Sequence, residues 1–309
     1  MGTLFSYIFN IITLGYFARK AWAHYVQSVT QYLLIEVGSN VEIKNIVMRE
    51  SHIIVLVYRL YKMRILKLEN DVDLLIMGNS LYYLGRYMNA LEIYDRLLKV
   101  NPKMKNVRYN KCITFSDMDK YEDALVCWDE LLAIDSESKE AWFNKGMLLI
   151  ACGKYMKAIE CYDRALDIDN NFLESWYNKG IAFCEMGKYQ DALACFNKTL
   201  AVDNTDAEAW FNKGAMLREL GNYEHALTCY RRATDLNSNL KEAWCHIAVV
   251  LAELNKYEEA LIYYDKALAI DPHYKDAWYN KGVSLDKLGN YEEAQQCYNK
   301  GIDLARIKK

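Results

Sequence analysis

Five tryptophans, Trp142, Trp176, Trp210, Trp244 and Trp278, stand 34 residues apart without an insertion. A chain with such a period must stack like units on one another rather than fold around a single core. Two more steps back reach Arg108 and Leu74, where the indole is lost but the rest of the register continues. Seven units follow, at 71–104, 105–138, 139–172, 173–206, 207–240, 241–274 and 275–308.

Other positions keep this register. Thirteen residues after each anchor stands a Tyr, from Tyr87 to Tyr291, and sixteen after it an Ala, from Ala90 to Ala294, neither with an exception. Four after it comes a small residue (Gly78, Cys112, Gly146, Gly180, Gly214, Ala248, Gly282), as two closely approaching helix backbones require. Eleven after it come Gly85, Asp119, Gly153, Gly187, Gly221, Asn255 and Gly289, residues that tolerate the left-handed conformation ending a helix. Each unit then closes on an Asn or Asp beside a turn-former, such as Asn101-Pro102, Asp169-Asn170 and Asp271-Pro272, expected to stop one helix and cap the next. The unit is a helix, a tight turn and a second helix.

A run such as AWYNKGVSLDKLGNYEEAQQCYNKGI from Ala277 resembles the tetratricopeptide repeat, following its pattern of Trp, Gly, Tyr, Ala, aromatic and Ala over about three-quarters of the chain. The resemblance implies an all-α, right-handed superhelical solenoid, here preceded by an N-terminal helical cap in residues 1–70. One departure is general: Lys111, Lys145, Lys179, Lys213 and Lys281 stand where the family usually has Leu. Such a side chain covers apolar surface only with its stem. With no aromatic anchor at Leu74 or Arg108, packing there is expected to be looser.

Charge and cysteine usage narrow the function. Residues 1–70 carry eight Lys or Arg against four Glu, a surplus of +4, so the remainder holds −7 of the net −3. An acidic array excludes nucleic acid, which needs a basic track to neutralise phosphates. Of the nine cysteines, Cys127, Cys161, Cys195, Cys229 and Cys297 share one repeat position. Equivalent residues of neighbouring units lie roughly 10 Å apart, beyond disulfide reach, so the expectation is nine unpaired thiols and a reducing cytoplasm. No metal-ligand spacing joins the five histidines, and no phosphate loop, dinucleotide fingerprint, zinc-protease or nucleophile-elbow motif occurs. The reading has no catalytic residue, no metal and no cofactor.

Tetratricopeptide arrays bind extended peptides in a concave groove lined by the first helix of each pair, and the resemblance carries that groove to specific residues. Two after the anchor stand Asn110, Asn144, Asn178, Asn212, His246 and Asn280. Each amide offers a donor and an acceptor, so the ladder can hold a peptide backbone without regard to its sequence. Two before the anchor lie Glu140, Glu174, Glu208, Glu242 and Asp276, and one after it aromatics including Tyr177 and Phe211. Asn, Glu and Tyr at these positions are also ordinary for the repeat, which leaves inherited pattern as the competing explanation. An acidic groove with aromatic shelves favours a basic or aromatic-bearing segment. It repels the C-terminal carboxylate that chaperone-binding members of the family clamp.

The expected function is a non-enzymatic protein-interaction scaffold in the cytoplasm. The alternative is a scaffold anchored to a membrane through residues 1–35, of which the first eighteen carry no charge and split into a polar and an apolar helical face. A non-catalytic subunit of an enzyme complex is the third reading. Residues 41–68 can form a further, decayed helix pair, and Met1-Gly2…Ser6 formally fits N-myristoylation. In the last unit Gln295 and Gln296 stand where six units carry Leu or Ile and its neighbour, the polar outer edge expected of a terminal repeat.

Overall fold

A computed structural model describes residues 70–306, with side chains to residue 303. The expected cap, the helix over 1–35, the pair over 41–68 and the myristoylation motif lie outside the described residues.

Every regular element among the described residues is an α-helix. The chain divides into two compact units, Met1–Glu137 and Ser138–Lys309. The described part of the first holds α1 (Asp71–Tyr83), α2 (Tyr87–Val100), α3 (Lys105–Asp117) and α4 (Tyr121–Ile134). The second holds α5 (Lys139–Ala151), α6 (Tyr155–Ile168), α7 (Leu173–Glu185), α8 (Tyr189–Val202), α9 (Ala207–Glu219), α10 (Tyr223–Leu236), α11 (Lys241–Glu253), α12 (Tyr257–Ile270), α13 (Lys275–Lys287) and α14 (Tyr291–Arg306). Within each unit a helix packs on its sequence neighbours, and the first helices of successive pairs also touch.

The turn inside each pair behaves as its residues dictate. All five glycines of the series are left-handed, with φ between 68° and 81°, and Asp119 and Asn255 take the same region at 56° and 59°. The next residue's N–H then reaches back to an orphan carbonyl of the first helix, as from Arg86 to Leu81 O at 2.9 Å. The second helix starts immediately at the invariant Tyr, and the invariant Ala one turn on is fully buried in all seven pairs. Close approach has a defined partner. A Cβ on Gly146 would stand 2.6 Å from the Tyr162 ring, and one on Gly214 2.8 Å from Tyr230. The glycine thus makes room for a second-helix aromatic, and Tyr94, Trp128, Tyr162, Phe196, Tyr230 and Tyr264 in that place are almost wholly buried. Burying such a ring contributes roughly 1.5–3 kcal/mol.

The turn between pairs corrects one expectation. Its Asn or Asp stops the preceding helix, but its side chain accepts from the N–H two residues on, as in Asn171 to Asp169 at 3.0 Å and His273 to Asp271 at 2.8 Å. That is an Asx turn. The N-cap of the following helix stands three residues later, where only Ser138 and Asp206 cap with a side chain and Met104, Phe172, Leu240 and Tyr274 make no such bond. The anchor secures this turn instead. Nε1 of Trp176, Trp210, Trp244 and Trp278 donates at 2.9 Å to the carbonyl six residues earlier.

The lysine series also has a defined place. Lys111 pairs with Asp95 at 2.6 Å, Lys281 with Asp265 at 2.5 Å and Lys179 with Asp163, each reaching the second helix of the preceding pair. The ammonium groups of Lys145, Lys179, Lys213 and Lys281 lie 4.9–5.8 Å from the ring of their own anchor Trp. A Leu there would only pack. The Lys packs its stem, caps an indole and ties two pairs together, a cation–π contact alone being worth about 0.5–1 kcal/mol at exposed sites.

The cysteine expectation is overturned at one pair. Cys112 and Cys127 form a disulfide between α3 and α4, with Cα atoms 5.3 Å apart, and the other seven cysteines are free. Comparing like positions across repeats hides this bridge. Cys112 occupies the close-approach position of the first helix, Cys127 faces it from the second helix of the same pair, and only in this repeat are both Cys.

Candidate functional site

In the second unit the first helices α5, α7, α9, α11 and α13 place the expected ladder on one face, since one position of each helix recurs at every step of the stack. The ladder amides are already engaged. Nδ2 of Asn144 donates to Glu140 O at 2.7 Å and Nδ2 of Asn178 to Glu174 O at 2.8 Å, each within its own helix. Asn212 instead reaches across to the Tyr177 hydroxyl at 2.9 Å. In the first unit Asn110 reaches Asn79 Oδ1 at 2.8 Å, an oxygen that also accepts from the Tyr94 hydroxyl at 2.9 Å. Asn79 escaped the sequence reading because it lies outside the register of the ladder. At Asn110 and Asn212 the ladder therefore joins neighbouring first helices, and Asn280 is half-buried at the same position.

The aromatics next to the ladder stand with their backs against the second helices. Tyr177 packs edge-on to Phe196 with centroids 5.8 Å apart, Phe143 lies 5.9 Å from Tyr162, and Phe211 5.6 Å from Tyr230. One edge of each ring is left for the face, and all three are half-buried. Glu140, Glu174 and Glu208 are exposed beside them, while Glu242 is half-buried next to Lys241. The Tyr177 hydroxyl links the sets: it accepts from Asn212 and donates to Glu208 Oε2 at 3.4 Å. Burial and the Glu208 carboxylate together push its ionisation up to about 12, so it remains a phenol at physiological pH.

His246 departs most from the ladder. Its ring packs edge-on to Phe211 at 5.1 Å and lies within hydrogen-bond reach of Arg218 Nη1, 3.3 Å, and the Tyr230 hydroxyl, 3.4 Å. Burial, reinforced by the Arg218 guanidinium, pushes its pKa down to about 4, so the imidazole is neutral. Arg218 in turn pairs with Glu219 at 2.7 Å, and burial raises Glu253 nearby. This Arg, Glu and His group was invisible as a group in the sequence, since Arg218 stands at a position that is Cys184, Ala252 or Asp286 in other repeats.

Among the described residues no group of His, Cys, Asp or Glu could hold a metal ion, and no helix is long and apolar enough to cross a membrane. The free thiols of Cys184, Cys195 and Cys245 are pushed up to about 12, 11 and 12 by burial, which makes them packing groups rather than nucleophiles.

The tetratricopeptide repeat model matches residues 140–172, 173–206, 207–240, 242–274 and 276–306, and a second model of that repeat matches 77–111. No curated protein sequence matches the chain significantly. Among solved structures, the C-terminal part of a tetratricopeptide repeat-containing protein from Cytophaga hutchinsonii is 17% identical, with a TM-score of 0.63 over 74% of this chain and 93% of that one. MamA from Desulfovibrio magneticus is 19% identical, with a TM-score of 0.52 over 55% of this chain and 96% of its own. The Cut9–Hcn1 hetero-tetramer of APC/C matches at 16% identity and a TM-score of 0.54, covering 84% of this chain and 52% of that chain. At these identities the likeness is one of fold.

Proposed function

Because this chain belongs to the tetratricopeptide repeat family, we propose that it is a non-enzymatic interaction scaffold that holds an extended, basic or aromatic-bearing segment of a partner protein on the face of its first helices. One observation carries the reading: Glu140, Glu174 and Glu208 are exposed at the same position of three successive first helices, each beside a half-buried aromatic, Phe143, Tyr177 or Phe211. A Lys or Arg set against that row meets a carboxylate and a ring edge at each step, and complementarity of this kind sets partner choice and association rate. The ladder amides, tied back to the helices, hold the face rigid and keep oxygens as acceptors for a peptide N–H. The same carboxylates repel a partner's terminal carboxylate. A cytoplasmic scaffold is the reading, and a membrane contact through residues 1–35 is the alternative.

The test is an array of extended peptides of varied charge, followed by the E140Q/E174Q/E208Q triple variant. Basic, aromatic-bearing peptides are expected to bind best, and the triple variant to weaken them by about tenfold with a shallower salt dependence, equivalent to about 1.4 kcal/mol. Binding indifferent to peptide charge and to the triple variant would remove this face as the site.

A further inference from the structure

The row of carboxylate, ring and amide on the first-helix face does not run evenly through the second unit. Its three features recur in α5, α7 and α9, and the ring of one helix reaches the carboxylate of the next, as Tyr177 reaches Glu208. In α11 all three change together. Cys245 is 2% exposed where Phe143, Tyr177 and Phe211 each present a ring edge, so the shelf is missing. Glu242 is half-buried beside Lys241, where Glu140, Glu174 and Glu208 are exposed. His246 replaces the Asn, and its neutral ring lies edge-on to Phe211 with centroids 5.1 Å apart. It packs on the third shelf instead of offering an amide.

Arg218 closes the same place. It stands seven residues after Phe211, on the same side of α9. Its Nη1 lies 3.3 Å from His246 Nδ1, and Nη2 is held by Glu219 at 2.7 Å. A guanidinium thus sits against the ladder position that a fourth cation of a bound segment would reach, and it excludes that cation by volume and by charge. The change is local, since Asp276, Tyr279 and Asn280 restore the three residue types one unit later. On the other side, the position one unit before Glu140 is Asn106, with no carboxylate. The row therefore has three steps and an end on each side.

The length of a step selects a backbone. Equivalent positions of stacked units are roughly 10 Å apart. Polyproline II has three residues per turn and rises about 3.1 Å per residue, so every third side chain returns to one edge after about 9.3 Å. A β-extended chain covers the distance in three residues as well, but its alternation throws the third side chain to the opposite edge. Resting on the reading of this face as the interaction site, we propose that the partner segment is a polyproline II stretch with Lys or Arg at every third position. Glu140, Glu174 and Glu208 read three such residues, and Arg218 and His246 form the stop that sets the register.

The probes are labelled peptides titrated into the full chain by fluorescence anisotropy: three copies of Lys-Pro-Pro, four copies, and a chain as long as the first with its three lysines at alternate positions. The three-copy peptide is expected to bind saturably, and the alternate-position peptide at least about fivefold more weakly. In the parent the fourth copy should gain less than about twofold. In an Arg218→Ala/Cys245→Phe/His246→Asn variant, which gives α11 the ring and amide of its neighbours, it should gain at least about fivefold. Taking the ratio of the two peptides within each protein cancels a general change in charge. Arg218→Ala/His246→Asn leaves the buried Cys245 in place and should raise the ratio part of the way, which keeps the test open if the triple variant melts early. A ratio that is the same in parent and variants removes the stop, and equal binding of the alternate-position peptide removes the spacing; either overturns the proposal while leaving the face as the site. No binding by any of the three peptides would reject the face itself, and the proposal with it.

Discussion

At the anchor position the two units use different chemistry to make one bond. In the second unit an indole Nε1 donates to the turn carbonyl six residues earlier; in the first, Arg108 Nη2 donates to Pro102 O, again six residues back, at 3.1 Å, while Nη1 pairs with Glu130. The close-approach position differs in the same way. The second unit sets a glycine or Ala248 beneath a buried ring, and the first, at Cys112, sets a cysteine bonded to Cys127 beside a fully buried Trp128. The repeat thus specifies contacts rather than residues. A turn carbonyl must be held and two helices must be drawn together, and any side chain of the right reach and chemistry serves. The substitute is imperfect in one respect: Arg108 Nε is buried without a partner among the described residues. Packing near Arg108 is therefore differently built, not simply looser.

The largest test of this equivalence is to remove both anchors in turn. Trp210→Ala deletes the bond to Asn204 O, the ring burial and the platform under Lys213, and is expected to destabilise the chain by about 3–4 kcal/mol in guanidinium unfolding. Arg108→Ala should cost about 1–2 kcal/mol, and Arg108→Trp should be neutral or stabilising, since an indole leaves no charged nitrogen unpaired. Equal losses at the two positions, or a destabilising Arg108→Trp, would break the comparison.

The bridge gives the next effect. Its cysteines are 15 residues apart, and closing such a loop removes unfolded-chain entropy worth about 3 kcal/mol. Reduction should lower the stability of the first unit by about that amount and raise the titratable thiols from seven to nine. A Cys112→Gly variant, which keeps Cys127 and so copies the glycine and cysteine of Gly146 and Cys161, should recover part of the loss. If reduction leaves the melt unchanged, the bridge contributes nothing to the close approach.

The smallest effect sharpens the ladder itself. His246 takes up a proton near 6.5 when unfolded but only at about 4 when folded, among Arg218, Glu219, Asp276 and the Tyr230 hydroxyl. Above 6.5 the ring is neutral in both states and costs nothing. As pH falls between the two values the unfolded chain gains a proton that the fold refuses, so stability declines, by about 2 kcal/mol at about pH 5. His246→Asn, which restores the residue of the other repeats, should abolish that decline, measured as the difference in unfolding free energy between about pH 8 and pH 5. A variant that keeps the slope would place the titration elsewhere.

Much of this protein was legible because its period is a packing rule. A residue fixed every 34 positions, with Ala always buried and Gly, Asn or Asp always left-handed at the turn, reports local sterics that hold wherever the segment sits. Helix, turn, helix, the stacking of pairs and the family all follow from such constraints, and so does the choice of candidate face. What the period does not encode is which groups meet across helices. The Cys112–Cys127 bridge joins unlike positions, the Arg218–His246 pair spans two repeats, and Asn110 reaches an Asn79 outside the ladder. Lys179 and Lys281 read as misfits in the pattern until a carboxylate of the preceding pair stood beside each. Sequence alone determined the repeating unit because its requirements are local. The tertiary structure decided the pairings, because charge, hydrogen bonding and covalent bridging depend on distances between residues that the chain brings together only by stacking.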